Sequence, residues 1–200
     1  LPAAVQQLLQ KAEADHVEVG MTWYCNLIDT VFANHSGVQI YVLCHDETPV
    51  VALPVLASKR LYRHRVESLG NYYTAIYAPV IAPGLEARDL IPLFEAIRRE
   101  NRFLGSVRLA PMDPQSASYR LMLEAMKLAR MVPFEFYCFG NWYLNVEGDW
   151  AAYLKGRGAT LRSNIKRANK KFVAEGGTLE LVRDVADIER GLKAYERVYA

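Results

Sequence analysis

Residues Trp150–Gly177 read WAAYLKGRGATLRSNIKRANKKFVAEGG. Between Lys155 and Lys171 stand seven basic residues and no acidic one. Leu161, Ile165, Ala168 and Phe172 recur at i, i+4, i+7 and i+11, the apolar stripe of an amphipathic helix. The spacing predicts a helix whose stripe packs on a neighbour and whose other faces are basic. Gly176-Gly177 supplies its stop, because glycine enters the left-handed region without a Cβ clash. This helix separates one α/β domain in front of it from the start of another behind it.

Upstream, Ala3–Ala14 carries Val5, Leu8 and Leu9 at helical spacing. Thr22–Asn34 predicts a second helix with Trp23, Leu27, Ile28 and Val31 as its stripe. Val38–Leu43 (VQIYVL) and Pro49–Lys59 (PVVALPVLASK) read as an antiparallel hairpin across the turn His45–Thr48. Pro54 predicts an edge position or a bulge in the second of these strands. Leu61–Glu67 is polar and basic, a loop or a twisted continuation of the strand. Ser68–Ile81 (SLGNYYTAIYAPVI) reads as a third strand region. Period-two alternation would put Tyr73 and Tyr77 on one face of it, a candidate pair for lining a substrate cleft.

Helix signals follow at Leu90–Asn101, capped by Asp89, and at Gln115–Arg130 with Tyr119, Leu123, Met126 and Ala129 inward. Phe103–Leu109 between them reads as a strand. Pro133–Val146 (PFEFYCFGNWYLNV) reads as a long alternating strand with a bulge at Gly140. The order α-α-β-β-β-α-β-α-β indicates an α/β chain with a mixed sheet and helices on it. Behind the junction Glu147-Gly148-Asp149 come the basic helix, a strand at Thr178–Arg183 and a helix at Ala186–Tyr199. The domain reading is therefore residues 1–147, then 148–200 as the opening of a second, incomplete domain. The chain starts at Leu1 and stops at Ala200 in mid-pattern, which reads as a fragment.

An apolar content of 52% indicates a folded core, and a net charge of +2 excludes a global polyanion-binding character. The basic footprint is local to residues 155–171. Cys25, Cys44 and Cys138 form no CxxC and no zinc spacing; they read as small buried hydrophobes in a reducing, cytoplasmic setting. No metal and no membrane segment are expected. His16, His35, His45 and His64 lie apart, without a partner at catalytic spacing. Asp113 and Glu135 are both candidates for a general base, and nothing in the sequence selects between them. Trp142 and Trp150 read as packing anchors at the seam between the domains.

The element order matches the GNAT acyltransferase fold. The pieces Trp142-Tyr143-Leu144, Trp150-x-x-Tyr153-Leu154 and Leu161-Arg162-Ser163-Asn164-Ile165-x-Arg167 resemble the GNAT-type family that includes the cellulose-biosynthesis CelD-like proteins. That family is related to the Fem aminoacyl transferases. Asn71–Pro79 (NYYTAIYAP) is similar to a tyrosine-rich strand of the same proteins. The resemblance implies tandem GNAT-like domains, acetyl-CoA as acyl donor, and a small-molecule, peptidoglycan- or polysaccharide-related amine as acceptor. It implies that Tyr73, Tyr77, Arg162, Asn164 and Arg167 bind substrate. It places most of the donor site in the part of the second domain after residue 200. In the first domain the pyrophosphate loop would be Ala82–Arg88, where a single glycine and Glu86 oppose a phosphate. Two alternatives stand beside this: a Fem-like transfer from aminoacyl-tRNA, and a GNAT-like module that binds without catalysing.

Overall fold

The structure, a computed structural model, describes residues 1–60, 63–145 and 147–199. The chain divides into two compact units, Leu1–Asn141 and Trp142–Ala200. The first unit is a mixed α/β layer structure. Helices α1 (Ala3–Glu13) and α2 (Met21–Asn26, continued by a π turn Leu27–Val31) precede strands β1 (Val38–His45), β2 (Thr48–Arg60), β3 (Arg63–Ser68) and β4 (Val80–Ile81). Helix α3 (Ile91–Glu100), strand β5 (Leu104–Arg108) and helix α4 (Ala117–Leu128) follow. The sheet order is β1-β2-β3-β5. β1, β2 and β3 are antiparallel neighbours, and β3 pairs with β5 in parallel.

β2 explains the layering. Its run Val50–Ala57 is apolar without alternation because helices cover both faces. Val51, Leu53, Val55 and Ala57 bury against Leu93, Phe94 and Ile97 of α3 and Met122 and Ala125 of α4. Ala52 and the half-buried Leu56 point the other way, towards Val5 and Leu9 of α1 and Tyr24 and Leu27 of α2. Burying each such side chain is worth about 1.5–3 kcal/mol, so the two apolar faces of β2 dominate the stability of this unit.

β2 is an interior strand, which corrects the edge or bulge expected from Pro54. β4 pairs with Val51 and Ala52, and β3 begins its pairing at Val55, both along the same side of β2. Pro54 falls in the gap between them. Its carbonyl accepts from Leu69 N at 3.1 Å and from the Tyr77 hydroxyl at 2.8 Å. The amide and carbonyl of a strand residue point to the same side, so the missing N–H falls where no strand needs it.

The third strand region differs from its expectation. Residues 63–68 make β3, mostly the segment read as a loop or a continuation, whereas of the expected strand only Ser68, at the end of β3, and Val80–Ile81 are paired. Leu61 and Tyr62 lie outside the described residues. Between β3 and β4 the chain turns, because Asn71 closes a local loop. Its Oδ1 accepts from Tyr73 N at 2.9 Å, and Asn71 N donates to Thr74 Oγ1 at 2.9 Å. Such Asx-type bonds compete with a sheet ladder and win here. Glu18 Oε2 accepts from Ile76 N at 2.9 Å and pins the far side of the loop.

The helices keep close to their predicted spans. In α2 the buried residues are Tyr24 and Leu27, and Val31 is exposed, which corrects its place in the stripe. In α4 the buried line is Met122, Ala125 and Ala129, one position from the expected Tyr119, Leu123 and Met126, which are half-buried beside a groove. Asp89 is the third residue of the 3-10 turn Ala87–Leu90, whose cap is Glu86, so it does not cap α3 directly. Residues 133–145 form no strand, and no bulge exists at Gly140; Val146 lies outside the described residues.

In the second unit, α5 (Trp150–Lys155) is capped by Asp149, whose Oδ1 accepts from Ala152 N at 2.8 Å. Trp150 stacks on Tyr153 with ring centroids 5.3 Å apart, and the Arg157 guanidinium lies 4.7 Å from the Tyr153 ring centre. Helix α6 (Ala159–Ala174) is the basic helix. It ends as expected, with Gly176 at φ +77°. Gly177 N donates to Phe172 O and Gly176 N to Val173 O, the paired bonds of a Schellman stop. Of its apolar stripe Ile165 is half-buried, while Leu161, Ala168 and Phe172 are exposed, so the expected packed stripe is corrected. Helix α7 (Val185–Tyr199) follows, and the strand expected at Thr178–Arg183 is absent. Leu179 and Leu181 there are exposed, because alternation alone makes no strand without a neighbour to bond.

Candidate functional site

A crevice opens at the carboxyl ends of β3 and β5, the place where parallel strands with helical crossovers usually hold ligands. It encloses about 500 Å³. Glu67 and Ser68 end β3, Arg108 ends β5, and Asn71 and Thr74 come from the loop between β3 and β4. Phe136, Tyr137 and Phe139 form an aromatic wall.

Each polar group is positioned by the fold. Parallel register places Glu67 opposite Arg108, and Arg108 Nη1 stands 3.8 Å from Glu67 Oε1. The Arg108 guanidinium also lies 5.2 Å from the centre of the Phe136 ring, within reach of a cation–π contact. Ser68 Oγ donates to Ala110 O at 2.5 Å and accepts from Ala110 N at 3.3 Å, which ties the two strand ends together. Tyr77 N donates to Pro111 O at 2.6 Å and closes the crevice floor. Glu67 keeps about a third of its side chain exposed, so a ligand reaches its carboxylate from the crevice. A carboxylate in a concave, half-apolar site can take a proton from a bound amine or hydroxyl.

A second groove adjoins this crevice along β5 and α4, and encloses about 750 Å³. Tyr119 and Glu135 meet at its lip, the tyrosine hydroxyl donating to Glu135 Oε2. That bond holds the phenolic proton, and the Tyr119 hydroxyl is pushed up to about 12. The two candidate bases are thereby separated. Asp113 builds the turn before α4, with Oδ1 accepting from Gln115 N at 2.9 Å. Glu135 faces the groove and is engaged by Tyr119.

Of the sequence-predicted site residues, Tyr73 and Tyr77 belong to the first unit and do not come together there, and Arg162, Asn164 and Arg167 belong to the second. Tyr77 is buried in the core, and burial holds its hydroxyl well above the ordinary tyrosine range. Tyr73 is 78% exposed at the loop tip, edge-on to Tyr72 at 5.5 Å. The two share no strand face, because the loop set by Asn71 breaks the alternation on which the pairing rested. Arg162, Asn164 and Arg167 lie on the exposed surface of α6, where Arg167 Nη2 donates to Asn164 Oδ1 at 2.8 Å. Cys44 and Cys138 are exposed, against the buried role expected of all three cysteines, and Cys25 is half-buried. Trp142 and Trp150 are exposed as well.

Glu67, Ser68 and Arg108 were missed by sequence reasoning. The signal available was positional: Glu67-Ser68 and Arg108 are the last polar residues of two segments that become parallel neighbours. Among the described residues no three His, Cys, Asp or Glu side chains gather as a metal site, and no helix is long and apolar enough to cross a membrane. No protein-family model matches the chain, and no curated protein or solved structure matches it.

Proposed function

We propose that this chain is part of a GNAT-type N-acyltransferase that moves an acetyl group from acetyl-CoA to an amine, with the crevice at the ends of β3 and β5 on the acceptor side. The observation that carries the proposal is the accessible Glu67 carboxylate, held beside Arg108 at the end of a parallel strand pair. In this reading the amine nitrogen attacks the thioester carbonyl and the C–S bond breaks. The acyl group ends in an amide, Glu67 takes the one proton shed by the amine, and coenzyme A leaves as a thiolate to which that proton is then passed, giving its thiol. Asn71 and Thr74 orient the acceptor, and the aromatic wall excludes water from it. The exposed cations of α6, Arg162 and Arg167 among them, serve as a phosphate-binding surface. A cytoplasmic location belongs to the same proposal, since three free thiols persist there.

One observation favours a second reading, a module that binds without catalysing. The N-terminus preceding α3, where a GNAT-like donor loop would lie, is closed by a capping box. Glu86 accepts from the backbone of Asp89, and Asp89 Oδ2 accepts from Glu86 N at 2.8 Å. Two carboxylates occupy the N–H groups that a pyrophosphate needs. Isothermal titration of acetyl-CoA at low and at physiological salt separates the two readings. Binding that weakens with salt, and weakens further in Arg162→Ala and Arg167→Ala, supports the transferase. Absence of heat at both salts leaves the binding module.

A further inference from the structure

Among the described residues β5 is the last strand of the sheet, so one of its two edges carries N–H and C=O groups that no described strand pairs. Folded proteins usually blunt such an edge with lysine, proline or a covering element. Leu104–Arg108 (LGSVR) has neither lysine nor proline, and beside it runs the groove of about 750 Å³, walled also by residues 132–136, which form no strand. The groove floor is unusual in composition. Met112, Met126 and Met131 line it together with Leu123 and Val107, over the buried Met122. Methionine is flexible and polarisable, and methionine-rich surfaces accept varied apolar side chains. Charge adds a direction. Four arginines, Arg65, Arg98, Arg108 and Arg130, and two glutamates line it, and Arg98 Nη2 already donates to Ala129 O at 2.9 Å. Glu67 is already beside Arg108, and Glu135 already accepts from Tyr119.

We propose that this groove is a strand-addition site: an extended, acidic peptide pairs its backbone with the free edge of β5 and seats alternate apolar side chains on the methionine floor. The two requirements, backbone pairing and alternate burial, are those of edge-strand recognition, where main-chain bonds give affinity and pockets for every second side chain give selectivity. Arg65 and Arg130 then meet the carboxylates on the outward-facing positions. The inference goes beyond the proposed transfer reaction and does not depend on it, since it concerns the groove along α4 and not the crevice at the strand ends.

The test uses the full chain and the synthetic peptide Asp-Leu-Glu-Leu-Glu-Leu-Asp, with Lys-Leu-Lys-Leu-Lys-Leu-Lys as its charge-reversed counterpart and laurate as a non-peptide anion. Hydrogen exchange read by NMR follows the amides of Gly105–Arg108, and fluorescence anisotropy follows binding. The acidic peptide is expected to bind and to slow exchange in β5 by about tenfold or more. The double variant R65E/R130E, exposed at both positions, is expected to lose the acidic peptide and to gain the basic one, with an unchanged circular dichroism spectrum. Four results overturn the proposal: no binding of the acidic peptide, equal binding of both peptides, binding without protection at β5, or laurate displacing the peptide while β5 stays unprotected. So does slow exchange of every Gly105–Arg108 amide in the peptide-free chain, because the edge would then already be paired, for instance by the chain's own residues 134–139.

Discussion

The hydroxyl of Tyr77 donates to the carbonyl of Pro54 at 2.8 Å, in the one place along β2 where β3 and β4 leave a gap. This bond closes the interior of the sheet around a residue that cannot donate. Tyr77→Phe leaves Leu69 N as the partner of Pro54 O, so its expected cost is about 1 kcal/mol. Tyr77→Ala empties a buried aromatic site and is expected to cost about 3–5 kcal/mol. Urea denaturation of the two variants gives both numbers, and near-equal losses would show that the hydroxyl, not the ring, holds the gap.

Tyr119 and Glu135 make a titration signature for the groove. The hydrogen bond to the carboxylate holds the phenolic proton and pushes the Tyr119 hydroxyl to about 12, against an ordinary value of 10.0. A raised value means that the stability it contributes is complete below the ordinary tyrosine range and is lost as the pH rises through about 12. Difference absorbance between the native chain and Tyr119→Phe isolates this one ionisation among the tyrosines. Glu135→Gln is expected to return the midpoint towards 10.0.

Acid acts at a different corner. Glu13, at the end of α1, accepts from Thr22 N at 2.9 Å and so caps α2, which holds its carboxyl below its ordinary value of 4.5. A depressed value contributes stability above 4.5, and that stability is lost as the pH falls through the lower folded value. Hydrogen exchange of the first α2 amides is expected to quicken below that point in the native chain. In Glu13→Gln the same amides are expected to exchange without this acid step.

The layered part of the fold was legible because its signals are local. The apolar run of β2, the hairpin turn, the stripe of α1 and the spans of α3 and α4 are read within a few residues of each other. Where the reading failed, the deciding partner lay elsewhere in the chain or nowhere. Residues 133–145 and 178–183 alternate as strands do, yet a strand exists only with a neighbour to bond, and among the described residues neither segment pairs with one. The tyrosine strand failed for a nearer cause: Asn71 and Thr74 offer the backbone a turn in place of the ladder. The candidate site was hidden for the first reason. Glu67 and Arg108 stand 41 positions apart and meet only because β3 and β5 align in parallel.

The central claim is that the crevice at the ends of β3 and β5 receives an amine and that Glu67 takes its proton. The most direct test is release of coenzyme A thiol from acetyl-CoA in the presence of a panel of amines, for the native chain and for Glu67→Gln. The account predicts amine-dependent release that falls by about 10²–10⁴-fold in the variant, with the loss in kcat rather than KM. Amine-dependent release that is equal in both proteins would remove Glu67 from the reaction, and absence of release in the native chain would contradict acyl transfer by these residues.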